Sequence, residues 1–218
     1  MGSVLSLGEF KSVDNSNQNA GFAGSGFTLN FDGDYYLTHR VAFSARFHFS
    51  LSSFNDAEVA DWLKQEAGDY YKEDTMAIKS IGYWQWSSPL VGIKYNYPIV
   101  INKFYFEVGA FSGLCIAPAP TQSLKIDDPD NQQIFYSENI TKTNYALPLM
   151  LDAGFRLRFN DTIQLKLMAS YYQSKIAYQH VNYIVSESVP LQPQTISTRD
   201  MAVPLKTLNF SIGLVYSL

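Results

Sequence analysis

Three histidines, one cysteine and a scatter of serines are the side chains of this 218-residue chain that could attack a carbonyl or hold a metal. His39, His48 and His180 stand far apart, with no two at a ligand spacing, so no zinc or other metal site is expected. His48 follows Arg46 by two residues and has serines on either side. A histidine base beside a serine, oriented by a carboxylate, would carry out acyl transfer, as in an embedded lipid hydrolase. No glycine-flanked nucleophile turn accompanies it, so the base lacks a defined nucleophile and a satisfied polar histidine is the expectation. Cys115 is alone and reads as a buried thiol, since it cannot close a disulfide within the chain. Asp127, Asp128 and Asp130 could gather around calcium, but the spaced ligands and distal glutamate of a calcium loop are missing. A solvated turn is expected there, and no cofactor.

The remaining chemistry is ionic, and its spacing points to strands. From Val41 to Leu51 the odd positions are Val41, Phe43, Ala45, Phe47, Phe49 and Leu51, and the even ones Ala42, Ser44, Arg46, His48 and Ser50. Period two belongs to a strand with one oily and one polar face. Residues 145–159 repeat it, with Leu147, Leu149, Leu151, Phe155 and Leu157 opposite Asp152, Arg156 and Arg158. Residues 163–171 carry Gln164 and Lys166 on the polar face, and 27–37 carry Asp32 and Asp34 there. In 104–110, Phe104, Phe106 and Val108 oppose Glu107, and 208–218 close the series. Residues 89–99 place Val91, Ile93, Tyr95 and Tyr97 opposite Lys94 and Asn96, with Trp84 and Trp86 out of phase with the oily set. A bulge near Ser88 and Pro89 would reconcile the two halves. With a short first strand over Val4 to Phe10, eight strands result.

Connections alternate too. Residues 38–40, 100–103 and 160–162 are tight turns, whereas about 11–24, 54–79, 118–142 and 176–206 are long loops. The second long loop holds Asn55, Asp56 and Glu58 ahead of Val59, Trp62 and Leu63, the pattern of a capped amphipathic helix. The fourth, with Pro190, Pro193 and Pro204, reads as exposed.

Charged residues make up 17% of the chain against roughly 25% in ordinary soluble domains. Aromatics reach 15%, with 15 Tyr and 15 Phe. A net charge of −4 argues against a nucleic-acid partner. No apolar run approaches the roughly 18 residues of a membrane-spanning helix. The N-terminus carries no basic segment before an apolar core, so the expectation is a processed chain in a single domain over 1–218.

Residues 26–36 (GFTLNFDGDYY), 90–95 (LVGIKY), 154–159 (GFRLRF) and 211–218 (SIGLVYSL) carry a resemblance. In their order the chain resembles the eight-stranded outer-membrane β-barrels of Gram-negative bacteria, the porin-like domains that include OmpA- and OmpX-type barrels. Ser211, Gly213, Tyr216 and Leu218 are similar to the C-terminal signal read by the barrel-insertion machinery, with Leu218 where a final aromatic is usual. The resemblance implies an all-β, eight-stranded antiparallel up-and-down transmembrane barrel in the outer membrane, with short periplasmic turns and four long extracellular loops.

In that arrangement the polar faces point inward. Arg46, Lys94, Arg156, Arg158 and Lys166 then share the lumen with Asp32, Asp34, Glu107, Asp152 and the neutral His48. Five cations nearly balance four anions, as buried charges require. Pairing Leu37 with Val41 sets Asp32 opposite Arg46, and pairing Ile99 with Phe104 sets Glu107 diagonal to Lys94. Tyr35, Trp84, Tyr95, Tyr97, Phe104, Tyr145 and Phe159 would form interfacial girdles. A soluble lipocalin-like barrel would turn the same faces inside out. The functional expectation is a non-enzymatic envelope protein, touching outer-membrane lipids and lipopolysaccharide and serving adhesion, envelope structure or a larger surface complex through its long loops. The alternatives are the lipid-modifying hydrolase built on His48, and a narrow pore or small-ligand carrier.

Overall fold

Residues 1–12, 20–55, 83–118, 122–127, 133–138, 143–187 and 195–217 are described by the computed structural model. In chain order the strands are β1 (Gly2–Ser6), β2 (Ala23–Tyr36), β3 (Val41–Phe54), β4 (Tyr83–Val100), β5 (Phe104–Gly113), β6 (Cys115–Pro118), β7 (Gln122–Asp127), β8 (Gln133–Glu138), β9 (Thr143–Ala146), β10 (Leu149–Arg158), β11 (Ile163–Glu187) and β12 (Thr195–Tyr216). All pairings are antiparallel. One 3-10 turn, Gly8–Phe10, is the sole helical element among the described residues, and no helix is long and apolar enough to cross a membrane. Eight strands pair in the order β1, β2, β3, β4, β5, β10, β11, β12, and β12 returns to β1, which closes them into a ring. The other four strands prolong the wall at the end away from the tight turns, where β6 pairs with β9 and the β7–β8 hairpin lies against β11.

Alternation builds the wall. Along β3, Ala42, Ser44, Arg46, His48, Ser50, Ser52 and Phe54 are buried, while Phe43 and Phe47 are exposed. Asp32 stands opposite Arg46, and Glu107 stands opposite Asn96, one diagonal from Lys94. Pro98 pairs with Tyr105 but Val100 with Phe104, so Ile99 is the extra residue of a bulge at the turn.

Five expectations are corrected. Against β3, β4 keeps one register from Tyr95 to Tyr83 without any bulge at Ser88 or Pro89. Trp84 and Trp86 therefore share the inner face with Leu90, Lys94 and Asn96, and Trp84 belongs to no interfacial girdle: it is 2% exposed. The first strand ends at Ser6 rather than Phe10, because Gly8 takes a left-handed φ of 57° that turns the chain and drops Phe10 into the interior. The third long loop contains β7 and β8. The fourth is mostly ladder: β11 and β12 stay paired from Ile176↔Val203 to Val185↔Thr195, with one irregularity between Tyr178 and Val181. Pro204 fits this ladder because it lies past the last β1 pair at Thr207, where β12 has β11 on one side only. The helix expected after Asn55, the acidic cluster beyond Asp127, and Pro190 and Pro193 lie outside the described residues.

β1 is far shorter than its neighbours. Its pairing with β2 stops at Thr28, and its pairing with β12 stops at Ser211. Met1 adds one reciprocal pair of 3.0 Å hydrogen bonds with Ile212.

Candidate functional site

The interior has two storeys. Toward the long-loop end it is apolar and aromatic: Phe10 meets Trp84 and Trp86 edge-on at 5.5 and 5.9 Å, and Phe54 stacks on Trp84 at 6.3 Å. Tyr178, Ile176, Val203 and Leu205 complete the cluster and are buried. The Trp84 indole N–H donates to Gly21 O at 2.6 Å, so its one polar atom is satisfied. Toward the tight turns the interior is ionic.

Three cations hold four carboxylates there. Arg46 clamps Asp32 through Nε at 2.6 Å and Nη2 at 2.8 Å, and reaches Asp152 at 2.7 Å. Its guanidinium lies 4.3 Å from the Phe111 ring centre. Lys94 contacts Asp34 at 2.7 Å and Asp32 at 3.0 Å. Lys166 contacts Glu107 at 2.5 Å and Asp32 at 3.4 Å. Lys94 also lies 4.0 Å from Glu107, so each cation serves at least two carboxylates, and Asp32 is shared by all three. A buried charge is tolerated only when paired in this manner. The Asp34 carboxylate also takes the Ser44 hydroxyl at 2.5 Å.

Between the storeys lies a layer of neutral polar groups. His48 Nδ1 is 2.7 Å from Asn30 Oδ1, and His48 Nε2 is 3.0 Å from Ser50 Oγ. With the Asn30 oxygen accepting from Nδ1–H, Nε2 is left to accept the Ser50 proton, which is the proton route of a serine hydrolase. The serine at i+2 was legible; its orienting partner is an asparagine on the neighbouring strand, not a carboxylate. Ser50 and His48 are both fully buried, and the Ser50 hydroxyl also donates to Thr28 Oγ1 at 3.2 Å, which competes with His48 Nε2 for its one proton because Thr28 Oγ1 itself donates to Phe49 O. His48 is stacked against Tyr172 at 5.1 Å. Neither Ser50 nor His48 lines a described cavity, whereas Asn30 does. The Tyr172 hydroxyl pairs with Ser88 Oγ at 2.8 Å, and Cys115 is a buried free thiol.

Of the residues singled out from the sequence, Asp32, Asp34, Arg46, Lys94, Glu107, Asp152 and Lys166 come together. Arg156 borders the group. Arg158 is separate: it pairs with Asp161 in the 160–162 turn at 2.7 Å, with its side chain 28% exposed. Ser211 and Gly213 line a cavity of 740 Å³, together with Asn30, Asp32, Asp34, Arg46, Arg156 and Lys166. Tyr216 is on the outer face and is 69% exposed. Leu218 and the His180 side chain lie outside the described residues, and no metal-ligating cluster of three occurs among those described. The sequence reading missed the apolar storey altogether. Its signal was parity: Trp84 and Trp86 share the even positions of Lys94 and Asn96, and Ile176 and Tyr178 those of Gln164 and Lys166.

Compared with protein-family models, curated proteins and solved structures, the chain matches none. Its class is that of the fold itself: an all-β ring of eight antiparallel strands with an ionic interior.

Proposed function

We propose that this chain is a non-enzymatic β-barrel of the outer membrane, acting in envelope structure, adhesion or a larger surface assembly through the segments at its long-loop end. One observation carries the membrane part. Every ring strand presents exposed large apolar side chains outward, among them Leu5, Phe31, Phe47, Ile93, Val108, Leu151, Leu167 and Ile212, while the ion pairs face inward. An apolar belt around the whole circumference far exceeds the few hundred Å² patch of an ordinary soluble surface, and lipid is the solvent that suits it.

Ile93→Arg tests this on the outer face of β4, where Ile93 is 59% exposed between Phe43 and Ala110. In a bilayer the charge is expected to cost about 2–4 kcal/mol near mid-depth. Against water it would cost within about 0.5 kcal/mol. Urea unfolding in lipid vesicles measures the difference, and a near-neutral substitution sinks the lipid reading. For the surface role, pull-downs from native membranes with residues 56–82 or 188–194 deleted should lose any partner that the intact chain retains.

A lipid-modifying hydrolase is favoured by one observation, the Asn30–His48–Ser50 relay. Its burial speaks against turnover, so a fluorophosphonate probe is expected to leave Ser50 unlabelled in the folded protein. Labelling that disappears in Ser50→Ala, with altered lipid A in cells carrying the active gene, would establish the enzyme instead.

A further inference from the structure

We propose that Arg156, at the tight-turn end of the interior, is an oxyanion-binding site that takes a phosphate group. The ion-pair network closes without it: Arg46, Lys94 and Lys166 already hold all four carboxylates. Among the described residues, the nearest carboxylate to Arg156 is Glu107, at 4.0 Å, and Lys166 has that group at 2.5 Å. Among the described residues, the only hydrogen bond of Arg156 runs from Nη1 to the Tyr36 hydroxyl at 2.5 Å. Its Nε–H is buried with no partner, although the side chain is only 7% exposed. A guanidinium has five donors in a rigid fork, and leaving them unmet in a buried place is costly.

The surroundings leave room for what would meet them. Arg156 borders two spaces, the 740 Å³ cavity on the inner face of β2 and β12 and a second of 700 Å³ at the turns, lined also by Tyr36, His39, Tyr105, Arg158, Asp161 and Gln164. The Tyr105 and Tyr36 ring centres lie 5.1 and 5.9 Å from the guanidinium carbon and flank it. Arg158 adds a second cation to the same space, offset by Asp161. Gln164 Oε1 is also buried without a partner, while its amide nitrogen donates to Ser217 Oγ at 2.9 Å. A group that accepts from Arg156 and donates to Gln164 satisfies both orphans. Hydrogen phosphate does so, with oxygens matched to the guanidinium fork and a hydroxyl of its own. The site needs only the interior geometry and stands apart from the lipid reading of the outer wall.

The test is arginine ¹⁵Nε NMR on the full chain in a phosphate-free maltoside micelle, titrated with inorganic phosphate and, separately, with a short-chain phosphatidic acid. The Arg156 Nε–H resonance is expected to shift with at least one of them, and which one identifies the source as free phosphate or a lipid headgroup. Arg156→Gln should weaken that binding roughly tenfold or more, as loss of a charged hydrogen-bonding partner does. Arg158→Gln, at a partly exposed position, should weaken it by a smaller factor and keeps the proposal open to refutation if the buried variant does not fold. No shift of Arg156 with either probe, or unchanged affinity in both variants, overturns the site.

Discussion

Arg46→Met is expected to destabilise the protein by about 3–5 kcal/mol, the usual cost of removing one partner from a buried ionic cluster. Arg46 has a side-chain exposure of 2%, and among the described residues it is the only cation that reaches Asp152, whose own side chain is 1% exposed. Methionine of similar length would fill the space beside Phe111 and Met150 but leave Asp152 charged and unpaired. Asp32 would fare better, since Lys94 and Lys166 remain at 3.0 and 3.4 Å. Asp152→Leu in the Arg46→Met background should therefore restore a substantial part of the loss, whereas Asp32→Leu should not, because it strips Lys94 and Lys166 of a shared carboxylate. Equilibrium unfolding in urea of the single and double variants gives the coupling energies. A loss below about 1 kcal/mol for Arg46→Met would mean that the cluster is hydrated and held far more loosely than its distances imply.

Trp84→Ala should cost about 3–5 kcal/mol, the range for deleting a large buried aromatic side chain. Three rings touch the indole: Phe10 edge-on, Phe54 stacked, and Tyr178 tilted at 6.4 Å. Its removal also leaves the Gly21 carbonyl without the indole donor. The magnitude separates two locations for one residue. A tryptophan at an interface with headgroups would lose much less on truncation, because water and lipid refill the space. Unfolding midpoints of Trp84→Ala and of Tyr95→Ala, on the outer face of the same strand, should differ with the tryptophan much the more sensitive. Equal sensitivity would place the indole outside the core.

Much of the fold was legible because alternation is a property of the chain alone. Asp32 opposite Arg46 follows once the tight turn sets β2 against β3, since each further rung is then determined, whereas Glu107 lands diagonal to Lys94 although Phe104 pairs with Val100 and not with Ile99, because the bulge at Ile99 shifts the register back. What parity could not supply was polarity. The same inward parity that carries Lys94 and Asn96 carries Trp84 and Trp86, and reading aromatics as interfacial overrode a rule that already placed them. The long β11–β12 ladder was hidden by composition, as serine, threonine, glutamine and proline look like loop while their backbone still pairs. Gly8 was invisible for a different reason: a glycine inside an alternating run does not announce its positive φ. As for the site, the cations and carboxylates were all visible, but the sharing among them was not. Arg158 was counted with the interior because of its parity, and only the nearby Asp161 in its own turn draws it out.

The two storeys make the ring a well rather than a pipe. Ions and small polar solutes entering from the tight-turn end meet successive partners down to the His48 and Ser50 layer, and below it they meet a dry floor of Phe10, Trp84, Trp86 and Tyr178. Among the described residues, the apolar storey thus stands between the ionic storey and the long-loop end.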